Sequence, residues 1–329
     1  MSKAEERDGV SLTNLDEPLF DGAGATKRAL LDYLDAVAGR FIPVLADRPL
    51  SVIRVLRGQA PFMQKNVPKY TPDWVPTVPV WAERSRREVR YALCNDRRTL
   101  LWFGNQRAVE YHPMLVRAGE WDRPSHLILD LDPPGPAAEG STVDGAAGFR
   151  AAVRAAHLVR EALAAAGLAG AVKTSGAKGV HVFVPLDGEV THEEAAAATR
   201  AVAARAERID PALATTAFIR DDRGGKVFVD STRAGGATVV AAYSPRLRPG
   251  TPVSFPVPWS DLDRVTAADF TVHTAPGLLA GTDPWADLMP PPQQLPTDLV
   301  EEGRTIPIAR VQAMHEGKRR RARARAEQE

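Results

Sequence analysis

Residues 126–134 read HLILDLDPP, and this stretch constrains the fold more than any other part of the sequence. Its leucines alternate with Ile128, Asp130 and Asp132. Successive side chains of a β-strand point to opposite faces, so a strand here presents both carboxylates on one face. Two strand steps separate them by roughly 7 Å, where like charges repel by about 2 kcal/mol at an effective dielectric constant near 20. The pattern predicts a strand whose acidic face requires a positively charged partner.

Divalent cations are suitable partners for these carboxylates, because the metal charge reverses the repulsion. Mg²⁺ and Mn²⁺ prefer oxygen ligands, and two-metal sites hold the ions about 3.5–4 Å apart while a phosphoryl group moves between oxygens. Asp230, which ends the apolar strand pattern KVFVD (226–230), is the candidate for a third carboxylate. We therefore predict a site for two divalent cations, Mg²⁺ or Mn²⁺, at Asp130, Asp132 and Asp230. The alternative is a solvated strand end.

A second motif, KTSGAKGVHVFVPL (173–186), predicts an anion-binding turn. Ser175, Lys178 and His181 surround Gly176 and Gly179, which let backbone N–H groups approach an anion such as a triphosphate without an intervening Cβ. The Walker A pattern is absent, so a hairpin rather than a helix start supplies these groups. The alternative is an ordinary tight turn.

Composition sets the class of protein. A chain of 329 residues with 44% hydrophobic content can bury the core of one large domain or of two closely packed lobes. Its 42 basic and 41 acidic residues nearly cancel, apart from the basic run KRRRARAR at 318–325. A single cysteine excludes an internal disulfide and fits a reducing compartment. The start lacks an apolar signal region and no long apolar window occurs, so we expect a cytoplasmic protein with no membrane role.

Strand and helix patterns alternate without the strict spacing of a doubly wound fold, so we predict a mixed α/β, or α+β, protein. A long irregular segment, 58–79, contains five prolines and is expected to bind a ligand or partner. The catalytic domain is expected to span 1–295, followed by a basic tail at 296–329. The predicted helices cover 27–39, 98–108, 146–166 and 193–209. The predicted strands cover 50–56, 89–94, 127–132, 171–175, 180–185, 226–230 and 238–243.

Together LILDLDPP, TSGAKGVHVFVPL, VEYH, KVFVD and YSPRLRPGTPVSFP resemble, in order and spacing, the polymerase domain of bacterial DNA ligase D. That domain belongs to the archaeo-eukaryotic primase superfamily, and the resemblance covers residues 10–290. It implies a primase-polymerase fold with mixed or antiparallel central sheets flanked by helices. It also implies a nucleotidyltransferase that extends a primer on a DNA template with two divalent metals. Such enzymes often prefer ribonucleotides and fill short gaps or broken ends in DNA repair.

The resemblance also implies roles for single residues. Asp130 and Asp132 resemble ligands of both metals, and Asp230 resembles the ligand of the metal that activates the primer 3′-hydroxyl. The residues that resemble the nucleotide and triphosphate site are His112, Ser175, Gly176, Lys178, Gly179, His181 and Arg248. The residues that resemble DNA contacts are Lys27, Arg54, Phe62, Lys65 and Arg223. Solvated surface charge is the alternative for Arg54, Lys65 and Arg223.

Three departures from the family pattern stand out. Members that act at broken ends usually grip a downstream 5′-phosphate with two lysines, in a D-K and a T-K pair. Here the T-K pair is Thr26–Lys27, but Asp16–Glu17 replaces the other, which reverses the sign of one phosphate contact. The paired phenylalanines of the family appear as Phe62–Met63, so one base-stacking platform is softened. After Asp230 the sequence STRAGGAT lacks the aromatic residue and the asparagine often found there. The hypothesis that follows from Glu17 is a preference for short gaps over end joining, although the motifs themselves do not separate the two.

The expected partners are a gapped or broken DNA template with its primer, nucleoside triphosphates, and a separate DNA ligase or end-binding protein in the bacterial nucleoid. Only about 40 residues follow Pro290, so we expect a stand-alone polymerase. Sugar preference, the choice among gap repair, end joining and priming, the role of the tail and the oligomeric state stay open.

Two other functions also fit parts of the sequence. One is a haloacid-dehalogenase-type phosphatase, which also places D-x-D at a strand end, although its motif usually lies near the N-terminus. The other is a non-catalytic DNA-binding module, which gains nothing from acids clustered beside DNA phosphates.

Overall fold

The structure is a computed structural model that describes residues 5–82, 86–134, 145–234 and 238–308. Its helices are α1 Lys27–Leu45, α2 Arg97–Asn105, α3 Gly145–Ala164, α4 His192–Ile209, α5 Ala275–Leu279, α6 Pro284–Leu288 and α7 Thr297–Thr305. Its strands are β1 Glu5–Arg7, β2 Val10–Leu12, β3 Leu50–Arg54, β4 Phe62–Gln64, β5 Thr77–Ala82, β6 Arg87–Ala92, β7 Ala108–Pro113, β8 His126–Asp132, β9 Ala171–Thr174, β10 Val180–Pro185, β11 Ala214–Thr215, β12 Val227–Asp230 and β13 Pro256–Val257. The mixed α+β class predicted from the sequence is confirmed.

The chain divides into two units. The first unit comprises Met1–Ser125, Ala171–Ala177 and Gly236–Met289. Its main sheet has the antiparallel order β4-β3-β6-β5, and β7 also pairs with β3. In addition, β9 pairs antiparallel with β13.

Helix α1 begins as the sequence predicts and ends later. Thr26 is the N-cap, and its hydroxyl accepts a hydrogen bond from the Ala29 N–H, which satisfies one of the free donors of the first turn. The helix continues through Gly39 to Leu45, so the stop predicted at Gly39 is wrong. Its buried face continues with Phe41 and Leu45 beyond the glycine, and this packing outweighs the low helix propensity of glycine.

The second unit comprises His126–Gly170, Lys178–Gly235 and Pro290–Glu329. Its strands pair in the order β11-β12-β8-β10, and β8 is antiparallel to both of its neighbours. Helices α3 and α4 pack on this sheet, and α7 packs on α4. The residues from Leu127 to Leu129, together with Leu131, are fully buried in β8, as expected for a strand at the centre of a covered sheet.

One predicted strand does not form. The segment TVVAAY (238–243) runs beside β7, where the Val239 N–H donates to the Pro113 carbonyl and the Ala241 N–H donates to the Tyr111 carbonyl. The paired stretch is short because Tyr243 adopts a positive φ of 68° that turns the chain away from an extended path. The structure therefore contains only an isolated bridge between Met114 and Thr238 here.

One predicted feature, the basic run at 318–325, lies outside the described residues. Helix α7 occupies the first part of the stretch predicted as a tail. Among the helices that the structure describes, none has the length and apolar character needed to cross a lipid bilayer.

Candidate active site

The three predicted aspartates lie on neighbouring strands of the second unit. Asp230 of β12 is directly opposite Asp130 of β8, and His181 of β10 is opposite Asp130 on its other side. Directly opposed residues in an antiparallel pair have Cα atoms about 4.5–5.5 Å apart and point to the same face. Asp132 follows Asp130 by two residues on that face. The structure therefore brings the three carboxylates and one imidazole together.

The sheet positions these side chains because β8 and β12 are apolar strands that end in acids. Asp130 and Asp230 are buried, while Asp132 reaches solvent at the end of β8. The pKa of the Asp132 carboxyl is raised to about 6, chiefly by desolvation and then by the negative charges of Asp130 and Asp230. The positive charges of Arg233 and Arg223 oppose this increase. Mutual repulsion of the acids, expected from the sequence, is thus present in the fold.

The Arg233 guanidinium contacts this acidic face. Its Nη2 lies 3.3 Å from Asp130 Oδ2, and its Nε lies 3.2 Å from Asp230 Oδ2. The other oxygen of Asp230 accepts hydrogen bonds from the Thr232 N–H at 2.8 Å and the Thr232 hydroxyl at 2.6 Å. His181 Nε2 lies 3.2 Å from Asp130 Oδ1. Sequence reasoning missed Arg233, although its position three residues after Asp230 was a usable signal.

The donor set fits hard divalent cations. Three carboxylates share one face, and carboxylate oxygen is the ligand type that Mg²⁺ and Mn²⁺ prefer. As the side chains stand, no group of three His, Cys, Asp or Glu within the described ranges forms a closed metal-ligand set. The Arg233 guanidinium contacts the oxygens of Asp130 and Asp230 that face it. Cation binding therefore requires the Arg233 side chain to move away from Asp130 and Asp230.

The SGAKG turn requires both of its glycines. In the first unit Gly176 has a φ of 67°, and a Cβ there would lie 2.7 Å from Arg246 Cγ and 2.8 Å from the Ser254 backbone nitrogen. In the second unit a Cβ on Gly179 would lie 2.2 Å from the Leu131 carbonyl oxygen, which is closer than any real contact. The Ser175 hydroxyl accepts a hydrogen bond from the Ala177 N–H, and Lys178 is exposed. The turn is tightly packed at both glycines, and phosphate binding by it stays a prediction.

A buried ionic cluster surrounds His112 in the first unit. The Glu110 carboxylate contacts His112 Nε2 at 2.8 Å and Arg246 Nε at 3.2 Å, and it accepts the Leu247 N–H at 2.8 Å. Burial alone raises the pKa of Glu110, but the His112 hydrogen bond, the Arg246 charge and the Leu247 N–H together lower it to about 2. Arg246 also donates to the Ser175 carbonyl.

The cluster changes which residues stand out around His112. Arg248, the arginine predicted from the sequence, is exposed, while Arg246 lies inside the cluster. Sequence reasoning also missed Glu110, which shares a strand face with His112 in VEYHP and could have been found from that spacing.

The predicted DNA contacts differ in their accessibility. Phe62 and Lys65 are exposed. Lys27 is only 2% exposed, and its Nζ donates to the Thr13 carbonyl at 2.6 Å. Burial, followed by the charge of Arg107, lowers the pKa of Lys27 to about 8. As this side chain stands, the ammonium group is not open to a DNA phosphate, which corrects the expectation from the T-K pair.

Two predicted arginines are also engaged within the protein. Arg54 is 5% exposed and donates four hydrogen bonds to protein groups. Arg223 lies 3.8 Å from the centroid of the Phe228 ring and donates to the Ala217 and Phe218 carbonyls. Arg54 is therefore not placed for the direct DNA contact that the sequence suggested.

Comparison with known proteins identifies the family of the chain. The family described as LigD, primase-polymerase domain, matches residues 26–285. The bifunctional non-homologous end joining protein LigD of Bacillus subtilis is 32% identical over 270 residues, covering 80% of this chain and 41% of that protein. The multifunctional non-homologous end joining protein LigD of Mycobacterium bovis is 34% identical over 273 residues, covering 80% of this chain and 34% of that protein. The chain thus spans between a third and a half of the length of these relatives.

A solved structure extends the likeness to the fold. The polymerase domain of Mycobacterium tuberculosis ligase D, in complex with DNA, superposes with a TM-score of 0.74 at 31% identity. The match covers 86% of this chain and 98% of that one. The chain therefore belongs to the LigD primase-polymerase domain family, whose members are polymerase-type nucleotidyltransferases.

Proposed function

We propose that this protein is a template-dependent polymerase that adds nucleotides to a primer 3′-hydroxyl at short DNA gaps or broken ends during repair. The observation that carries the proposal is the register that sets Asp230 opposite Asp130, with Asp132 on the same face. A sheet places three carboxylates together at an energetic cost, and phosphoryl transfer is the chemistry that uses such a group.

Asp130, Asp132 and Asp230 would hold two divalent cations, Mg²⁺ or Mn²⁺. When bound, these cations supply positive charge that lowers the pKa of the primer hydroxyl and stabilises the charge on the transferring phosphoryl group. His181 orients the Asp130 carboxylate through its 3.2 Å contact. Ser175, Gly176, Lys178 and Gly179 bind the triphosphate through backbone N–H groups and one ammonium, which stabilises the departing pyrophosphate.

The remaining predicted residues bind the substrates or stabilise the charge of the acidic face. His112, held by Glu110, and the exposed Arg248 contact the nucleotide. Phe62 stacks on a base and Lys65 contacts a phosphate of the template strand. Arg223 stabilises the acidic face through its charge.

The biological setting is proposed from the relatives. Their names state non-homologous end joining, and the solved relative is bound to DNA. We assign residues 1–295 to the catalytic domain, with gapped DNA and nucleoside triphosphates, preferably ribonucleotides, as substrates. Because the chain spans less than half of each LigD relative, ligation falls to another protein or segment.

Primer extension tests this proposal. Labelled primers on gapped templates should lengthen only when template, nucleotide and Mg²⁺ or Mn²⁺ are all present. Asp130→Asn and Asp230→Asn should abolish extension, while Asp122→Asn, an exposed carboxylate of the first unit, should leave it unchanged. Parallel reactions with ribo- and deoxynucleotides measure the sugar preference.

The same preparation separates the two other functions. Release of phosphate from small phosphoesters without primer extension would identify the phosphatase. Binding of gapped DNA without extension under any metal condition would identify the non-catalytic module.

A further inference from the structure

Tyr70 is exposed in an unusual way. It is 59% exposed, yet its hydroxyl accepts a hydrogen bond from Arg54 Nη1 at 2.9 Å. An exposed tyrosine normally turns its hydroxyl to water and packs its ring on the protein. Here a buried guanidinium donates to the hydroxyl of a tyrosine whose side chain is otherwise exposed.

The anchor of this ring is rigid. Arg54 is buried and also donates to the Gln106 carbonyl at 2.8 Å, Gln64 Oε1 at 2.7 Å and Gln106 Oε1 at 3.2 Å. A guanidinium with fixed partners on several segments cannot follow a mobile side chain. Tyr70 is therefore held in one place before any ligand arrives, which lowers the entropic cost of binding.

Phe62 shares this anchor. It is directly opposite Arg54 in the β3–β4 register, and the guanidinium carbon lies 5.8 Å from the centroid of its ring. Phe62 is 37% exposed. The buried Arg54 thus contacts two exposed aromatic side chains, and fixes the position of one relative to the other.

The positive charge of the segment that contains Phe62 and Tyr70 indicates the class of ligand. Lys65 and Lys69 are exposed on the same stretch of chain as Phe62 and Tyr70. Aromatic rings interleaved with cations are the arrangement that binds single-stranded nucleic acid, because bases stack on rings and lysines contact phosphates. This is the irregular segment for which the sequence predicted a binding role without a ligand.

We propose that Tyr70 is a second stacking platform, beside Phe62, for an unpaired base of the template strand. Arg54 is the positioning residue that fixes both rings, and does not itself contact DNA. The inference rests on the proposed polymerase function, because template-directed synthesis requires an unpaired template base.

Binding measurements without nucleotide test the inference. The probe is DNA with a two-nucleotide gap whose unpaired template base is 2-aminopurine, read by anisotropy and by base fluorescence. Tyr70→Ala should weaken binding at least about fivefold, the effect of losing one stacked base, and should abolish the fluorescence change. Tyr70→Phe keeps the ring and should lose no more than about half of that effect on a logarithmic scale. Trp121→Ala, which removes another exposed aromatic of the first unit, should match the wild type.

Salt dependence tests the role of Arg54. Arg54→Gln should weaken binding as Tyr70→Ala does, with no change in the slope of log Kd against log salt concentration. Lys65→Ala, which removes a phosphate contact, should reduce that slope by about 0.7–0.9. If Arg54→Gln fails to fold, the two Tyr70 variants alone decide the case.

Three results would overturn the inference: wild-type affinity in Tyr70→Ala, equal losses in Tyr70→Ala and Tyr70→Phe, or a reduced salt slope in Arg54→Gln. These outcomes are distinct from failure of the polymerase proposal, which is measured by primer extension of the wild-type protein. A wild type that extends primers while Tyr70→Ala binds normally would refute this inference alone.

Discussion

Replacement of Glu110 by glutamine should make the free energy of unfolding less dependent on pH in the acidic range. The wild-type carboxylate is stabilised by His112, Arg246 and the Leu247 N–H, so its pKa falls from an ordinary 4.5 to about 2. At about 1.36 kcal/mol per pKa unit, this difference corresponds to roughly 3 kcal/mol of stability. The contribution is fully present above pH 4.5 and is lost as the pH falls toward 2, because the unfolded carboxyl takes up its proton first.

Urea denaturation followed by tryptophan fluorescence measures this effect. At pH 7 the free energy of unfolding of Glu110→Gln should be lower than that of the wild type by roughly 3 kcal/mol, and at pH 3 by only about 1 kcal/mol. Comparison at each pH cancels the titration of all other acids. Glu120→Gln, which alters an exposed carboxylate of the same unit, should stay within about 0.5 kcal/mol of the wild type. A gap for Glu110→Gln that is the same at pH 7 and pH 3 would refute the assignment of the low pKa to this cluster.

Three further predictions follow from single contacts. Glu17 lies 3.4 Å from Arg107 and forms an ion pair with the cation that a phosphate would otherwise contact. Wild-type gap filling should therefore depend little on a downstream 5′-phosphate. Glu17→Lys should create such dependence in the extension assay, and strong dependence in the wild type would contradict this reasoning. Gly179→Ala should destabilise the protein by roughly 3 kcal/mol or more, measured by urea denaturation, because the new Cβ would meet the Leu131 carbonyl; a soluble variant of wild-type stability would disprove the close approach. Lys27, whose pKa is lowered to about 8, binds fewer protons folded than unfolded between pH 8 and 10.5. The stability of the wild type should therefore rise relative to Lys27→Met across that range by at most about 3 kcal/mol, and a constant difference would exclude a lowered pKa.

Much of the fold was predictable because it depends on local pattern. Period-two alternation placed β8 and β12 with their terminal acids, and the cap at Thr26 placed the start of α1. The predicted ends were less accurate: α1 runs past Gly39 because Phe41 and Leu45 find a core to pack against. A sequence pattern gives the face of an element, but the length of the element depends on what lies against that face.

The candidate site divides in the same way. That Asp130 and Asp132 share a strand face follows from backbone geometry, so the sequence alone was enough to predict it. The fold was needed to show that Asp230 lies opposite Asp130, that Arg233 contacts both of these aspartates, and that Lys27 and Arg54 are buried. Strand register and burial arise from contacts between segments that are distant in sequence. The identity of a charged residue does not show whether water or protein surrounds its side chain.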